Sequence, residues 1–169
     1  AERDRIVLYL NFDMIGSPNY VRFVYDGDGS AFGLAGPSGS NVIEQFFAGF
    51  YAARGLAFES TQIDFRSDYA AFFNAGIPFG GLFTGAEGIK TPAQAAIYGG
   101  TAGAPYDPCY HLPCDNYDNI NLEVLDLNAD AAAAATLSYA MNSEAINGVR
   151  GKGNFKTPPG HSQETAVTQ

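Results

Sequence analysis

The stretch from Ile6 to Phe12 constrains the fold of this chain more than any other. It is dense in apolar residues, β-branched or aromatic at several positions, and it stops at Asp13 with Gly16 and Pro18 just beyond. Such a run reads as a buried strand that ends in a loop. Val21 to Tyr25 reads as a second short strand. The segment DGDGSAFGLAGPSGS that follows is rich in turn residues, and Ser40 or Asn41 at its end can cap a helix from about Val42 to Arg54, with Gly55 at its stop. Ala57 to Ile63 has strand character, Ser67 can cap a short helix through Asn74 that Gly76 closes, and Ile77 to Phe83 resumes the strand pattern before breaking at Thr84-Gly85. Strands that alternate with helices imply an α/β sandwich with a mainly parallel or mixed sheet. In such sheets ligands bind where strands end in loops.

From Thr84 to Asn121 the chain is rich in Gly, Pro, Asp and Asn and has little periodicity. A loop of that length inside a compact domain is usually functional. Leu122 to Asn147 carries Ala131 to Ala135 and apolar residues at helical spacing, which predicts one long helix. Beyond Gly148 no core-forming pattern remains, so residues 1–147 are expected to form one domain and 148–169 a flexible tail or linker.

Composition narrows the function. Eighteen acidic against nine basic residues give a formal charge of -9 without a basic stripe, a balance that repels phosphate backbones and argues against nucleic acid as a partner. No apolar run approaches the roughly 20 residues that a membrane span needs, and the start AERDRIVLYL lacks the arrangement of a signal peptide, so no membrane association is expected. Two cysteines lie five positions apart in CYHLPC and can form a disulfide, remain free or join a metal site. Zinc thiolate sites usually use CxxC spacing and further ligands, and only two histidines occur here, one of them in the polar C-terminal segment. The spacing therefore favours a disulfide and an oxidising compartment outside the cytoplasm.

Three places carry candidate chemistry. Asp13, where a buried strand meets a turn, is either a turn aspartate bonded to its own backbone or a carboxylate held rigidly at a cleft. His111, within CYHLPC and next to Tyr110, belongs either to a stapled surface hairpin or to a loop that fixes a metal ligand beside a hydrogen-bond donor. Asp126 and Asp130, four apart on the last helix, are either a solvated face or oxygen ligands for calcium.

The segments NFDMIGSPN, FRSDYAAFFNAGIP, GGLFTGAE, YGGTAGAPYDPCYHLPCDNYDNIN and VLDLNADAAA, in that order between Ile6 and Ala140, resemble the C-terminal half of secreted bacterial leucine aminopeptidases with two co-catalytic zinc ions. The resemblance implies the C-terminal half of a three-layer α/β/α sandwich with a mixed, mainly parallel sheet. It implies that Asp13 binds one zinc and His111 the other, and that the phenol of Tyr110 stabilises the tetrahedral oxyanion. The backbone carbonyl of Arg66, together with Asp13, would hold the substrate's free amino group. Phe83 would line the pocket for the N-terminal side chain, Cys109 and Cys114 would be disulfide-bonded, and Asp126 and Asp130 would contribute to a calcium site found in some members.

The family's other half-domain supplies a zinc histidine, an aspartate bridging both metals and a Glu-Glu pair that provides the general base and a further zinc ligand. Only twelve residues precede Asp13 here, and none is His. The expected function is thus removal of large apolar N-terminal residues from peptides, in combination with an N-terminal half as partner, and the chain alone is expected to be inactive. A truncated binding module without catalysis is the reading from another class. Carboxypeptidases and glutaminyl cyclases are relatives with the same two-zinc chemistry, but recognition of a C-terminal carboxylate needs a bidentate arginine, and Arg66 is the only one near a matched segment.

Overall fold

The structure is a computed structural model and describes residues 3–147. The tail expected over 148–169 lies outside the described residues. Four strands, β1 (Tyr9–Phe12), β2 (Phe23–Tyr25), β3 (Glu59–Thr61) and β4 (Phe79–Phe83), form one sheet in the order β1-β4-β2-β3. β1 and β4 are parallel, β2 and β3 are parallel, and the two pairs meet antiparallel along β2 and β4. The mixed sheet expected from the sequence is present, and its antiparallel seam brings the start of β2 beside the ends of β1 and β4. Phe23 pairs with Phe83, and Phe12 with Leu82.

Helices cover both faces. On one, α1 (Ser40–Ala52) buries Ile43, Phe47, Phe50 and Tyr51, the i, i+4, i+7, i+8 stripe of a core-facing helix. They pack with Val24 and Leu82 of the sheet and with Ala131 and Ala135 of α4 (Leu122–Met141). On the other face Tyr69 of α2 (Tyr69–Asn74) stacks on Phe79 at 4.5 Å and lies edge-on to Tyr25. The sheet tolerates close approach at Gly81, opposite Asn11, where a Cβ atom would lie 1.8 Å from the Asn11 carbonyl oxygen.

Several boundaries differ from the sequence expectation. α1 begins at Ser40 and is preceded by Gly39 at φ 101°, because the Ser40 hydroxyl does not cap the helix but accepts from the amide of Phe79, tying α1 to β4. The segment 84–121 is not a structureless loop. It holds α3 (Pro92–Tyr98), started by a reciprocal capping box between Thr91 and Gln94 with Pro92 in the first turn. The last helix is two: α4 ends at Met141, and the side chain of the extended Asn142 accepts from the Glu144 amide at the start of α5 (Glu144–Asn147). Among the described residues no helix is long and apolar enough to cross a membrane.

Candidate active site

Asp13 follows the last residue of β1 directly, and the turn that carries it is pinned to the end of β4. The amide and hydroxyl of Thr84 both donate to the Met14 carbonyl, and the Ser17 amide and hydroxyl bond back to Thr84. The carboxylate itself is exposed, and its Oδ2 accepts from the Ser67 hydroxyl at 2.7 Å. With its proton on Asp13, the Ser67 oxygen accepts from Asn11 Nδ2 at 3.0 Å. The expected helix cap is therefore absent: α2 starts at Tyr69 without a side-chain cap, and Ser67 orients Asp13 instead.

The Cys109–Cys114 bond is present, with Cα atoms 5.3 Å apart, as the spacing and the resemblance led us to expect. Its loop is anchored by Asp107, whose Oδ1 accepts from the Cys109 amide at 2.9 Å and from Asn119 Nδ2 at 2.8 Å. Inside it the chain reverses at His111, at φ 57°, and the imidazole stacks on Tyr110 with centroids 3.9 Å apart.

Asp13, Arg66, Phe83 and Tyr110 line one cleft of about 220 Å³, together with Phe23, Tyr25, Asp64, Ser67, Glu87 and Tyr106. His111 stands outside that lining, against its Tyr110 neighbour. Asp126 and Asp130 lie elsewhere, exposed on α4. Among the described residues none of Asp13, His111, Asp126 and Asp130 belongs to a group of three metal-capable side chains. Taken singly, Asp13 and His111 are donors of the types that zinc accepts, a carboxylate oxygen and an imidazole nitrogen, and the Ser67 bond is the kind of outer support that orients a ligating carboxylate.

Sequence reasoning missed Ser67, Glu87 and the Arg66 side chain as parts of this cleft. The Arg66 guanidinium pairs with Glu87 Oε1 at 2.8 Å, and the Tyr110 phenol and Glu87 beside it, Tyr110 first, hold its pKa above the ordinary value. With Arg66 paired, Asp13 and Asp64 give the cleft a negative balance. Tyr25 records it: burial first, then Tyr69, Asp13 and Asp64, push its phenol well above the usual range, so it stays neutral.

The non-glycine residues with positive φ among the described ones are Met14, Phe65 and His111. Each adjoins a candidate residue, Asp13, Arg66 or Tyr110. Left-handed backbone at a side chain of this size is uncommon and concentrates where tertiary structure holds a functional group in place. No local sequence signal marks these positions.

The chain is 56% identical over 146 residues to an aminopeptidase of Pseudomonas aeruginosa, covering 86% of this chain and 27% of that protein. It is 51% identical over 146 residues to a probable leucine aminopeptidase 2 of Aspergillus fumigatus, covering 86% of this chain and 29% of that one. It thus spans less than a third of the length of these relatives. Its fold is similar to that of a zinc aminopeptidase from Bacillus subtilis, with a TM-score of 0.57 at 21% identity, over 86% of this chain and 31% of the solved one. Residues 1–136 match the model of peptidase family M28, and with more than half of its length inside that match the chain belongs to this family.

Proposed function

We propose that this chain is the C-terminal part of a secreted zinc aminopeptidase domain, which removes N-terminal residues, preferentially large and apolar ones, from peptides. The observation that carries the reading is the meeting of Asp13, Arg66, Phe83 and Tyr110, drawn from four separate segments, around one acidic cleft. Names such as leucine aminopeptidase among the relatives support the substrate class. The disulfide supports a secreted, oxidising location.

Each residue has a task in this reading. Asp13 and His111 would each hold one of two zinc ions, with the remaining ligands and the general base supplied by an N-terminal half of the domain. When bound, the metals supply Lewis-acid polarisation and a water of lowered pKa. Asp13 and the neighbouring acidic side chains attract the protonated amino terminus of a peptide. The Tyr110 phenol would donate to the oxygen on which negative charge develops, with the Arg66–Glu87 pair lining the same cleft. Phe83 and Phe23 offer apolar surface to the first side chain. On α4, Asp126 and Asp130 would supply only part of a calcium site, one that is incomplete among the described residues of this chain.

The test is a chimera in which this chain replaces the corresponding 146-residue segment of the Pseudomonas aminopeptidase. It should hydrolyse leucine p-nitroanilide, lose activity to a chelator and regain it with zinc. Tyr110→Phe should lower kcat by about 10²-fold, the effect of one oxyanion donor, with KM little changed. A chimera that folds and binds zinc but shows no turnover, or in which Tyr110→Phe acts on KM alone, would refute the assignment.

A further inference from the structure

On the face of the sheet opposite the cleft, the chain gathers a second set of acids for which the proposed chemistry has no use. Side chains alternate along a strand, so with Tyr25 turned to the cleft, Asp26 just after β2 turns to the α1 side. There Asp26, Asp28 and Glu44 each bring a carboxylate oxygen to within 4.8 Å of the others. Asp26 is fully buried. Its Oδ2 is satisfied by the amides of Ala31 and Phe32, at 3.1 and 2.8 Å, whereas its Oδ1 is buried with no partner. A buried carboxylate oxygen left without a hydrogen bond, beside two further carboxylates, is among the costliest arrangements a fold can hold unless a cation completes it.

From the buried Asp26 carboxylate, one of whose oxygens has no partner, and the approach of the Asp28 and Glu44 carboxylates to it, we infer that these three residues bind a hard divalent cation of calcium size. The donors are all carboxylate oxygens, the set that suits calcium rather than zinc. Oxygens around one such ion stand about 2.3 to 2.6 Å from it, which allows separations up to about 5 Å across the site. The spacing here falls inside that limit. The surroundings hold the donors in position: the Asp28 amide donates to Glu44 Oε2 at 3.0 Å, and the Ser30 amide to Asp28 Oδ1 at 2.8 Å. Gly27 is closed in, since a Cβ there would sit 2.4 Å from the Ser40 carbonyl oxygen, and Gly29 turns at φ 73° against Ala35. The ion would tie the end of β2 to α1 across the loop 27–39, and its effect is on the stability of the α1 face. This assignment does not depend on the peptidase reading.

The experiment is a titration of the 169-residue chain with CaCl₂ after exhaustive chelation, by calorimetry and by thermal melting. Binding of one ion in the submillimolar range, the strength of many extracellular calcium modules, and a rise in Tm of about 5 °C at saturation are expected. Glu44→Gln, at a half-buried position, should weaken binding by about tenfold or more while leaving the calcium-free circular dichroism unchanged. Asp26→Asn should abolish binding, and Asp126→Asn should have no effect. Absence of heat and of any Tm shift up to about 10 mM calcium, well above the weakest module range, would overturn the inference. So would binding that survives Glu44→Gln and is lost in Asp126→Asn, since that result moves the ion to α4.

Discussion

Tyr51 and Asn128 form a buried polar link between α1 and α4 that also reaches the turn after Asp13. Both side chains are fully buried; the Tyr51 hydroxyl donates to Asn128 Oδ1 at 2.5 Å, and Asn128 Nδ2 donates to the carbonyl of Ile15 at 2.9 Å, two residues after Asp13. Tyr51→Phe removes the hydroxyl without opening a large void, so its main cost is a buried acceptor left without a donor, about 1 to 3 kcal/mol. At about 3 °C per kcal/mol for a chain of this size, Tm should fall by about 3 to 9 °C. Asn128→Leu removes both bonds and exposes the Tyr51 hydroxyl and the Ile15 carbonyl to an apolar pocket, so it should cost more. The double variant is the decisive one. With both partners gone, no Tyr51 or Asn128 group is left unpaired, and the combined loss should be smaller than the sum of the singles by about 1 kcal/mol or more. Urea denaturation monitored by circular dichroism gives all four stabilities. Strict additivity would show that the two groups do not share a bond that matters, and would refute the reasoning.

Gly81→Ala should abolish cooperative folding, because the new Cβ would fall 1.8 Å from the Asn11 oxygen inside the β1–β4 ladder; a soluble variant with a native circular-dichroism melt would contradict this. Burial pushes the phenols of Tyr98 and Tyr139 up to about 12, Glu59 adding to the shift at Tyr98. A phenol raised in the folded state contributes stability that is whole below the unfolded value near 10 and is lost as pH rises through 12. Tyrosinate absorbance should therefore climb in two stages, the later one coinciding with unfolding. A single stage centred near pH 10 with the fold intact would be the contrary result.

How much of this was legible in the sequence depends on whether the signal was local. The strand Ile6 to Phe12 and its stop at Asp13 were readable because apolar density and a Gly/Pro turn sit side by side. β1 opens later, at Tyr9, but ends where the pattern breaks. The capping box that starts α3 was equally local, in Thr91-Pro92-Ala93-Gln94, and was hidden only by the glycine-rich stretches on either side. The break at Asn142 was harder to see, since a short polar interval between two helical patterns reads as one helix. What the sequence could not show is who partners whom. The Asp107 anchor of the disulfide loop, the Thr84 clamp on Met14 and the Arg66–Tyr110 contact all join residues whose proximity exists only once the sheet is assembled.

Ser67 puts that distinction to the test. Read locally, a serine before an apolar hexamer is a helix cap, and Ser67→Ala should then cost α2 about 1 kcal/mol and leave the cleft unaltered. Read in the fold, its hydroxyl spans 54 positions to Asp13 Oδ2 at 2.7 Å and pairs with the buried Asn11, while the start of α2 has no side-chain cap. Alanine there should leave the helix signal intact and free the Asp13 carboxylate to rotate. In the Pseudomonas chimera the loss should then appear as zinc affinity weakened by about 10 to 100-fold, the usual effect of removing an outer-shell partner. Ser67→Thr, which keeps the hydroxyl, should recover most of it. A Ser67→Ala chimera with native zinc affinity and a lowered melting temperature would return Ser67 to the role of a cap. Asp13 would then owe its orientation to the turn that Thr84 clamps, and to nothing on α2.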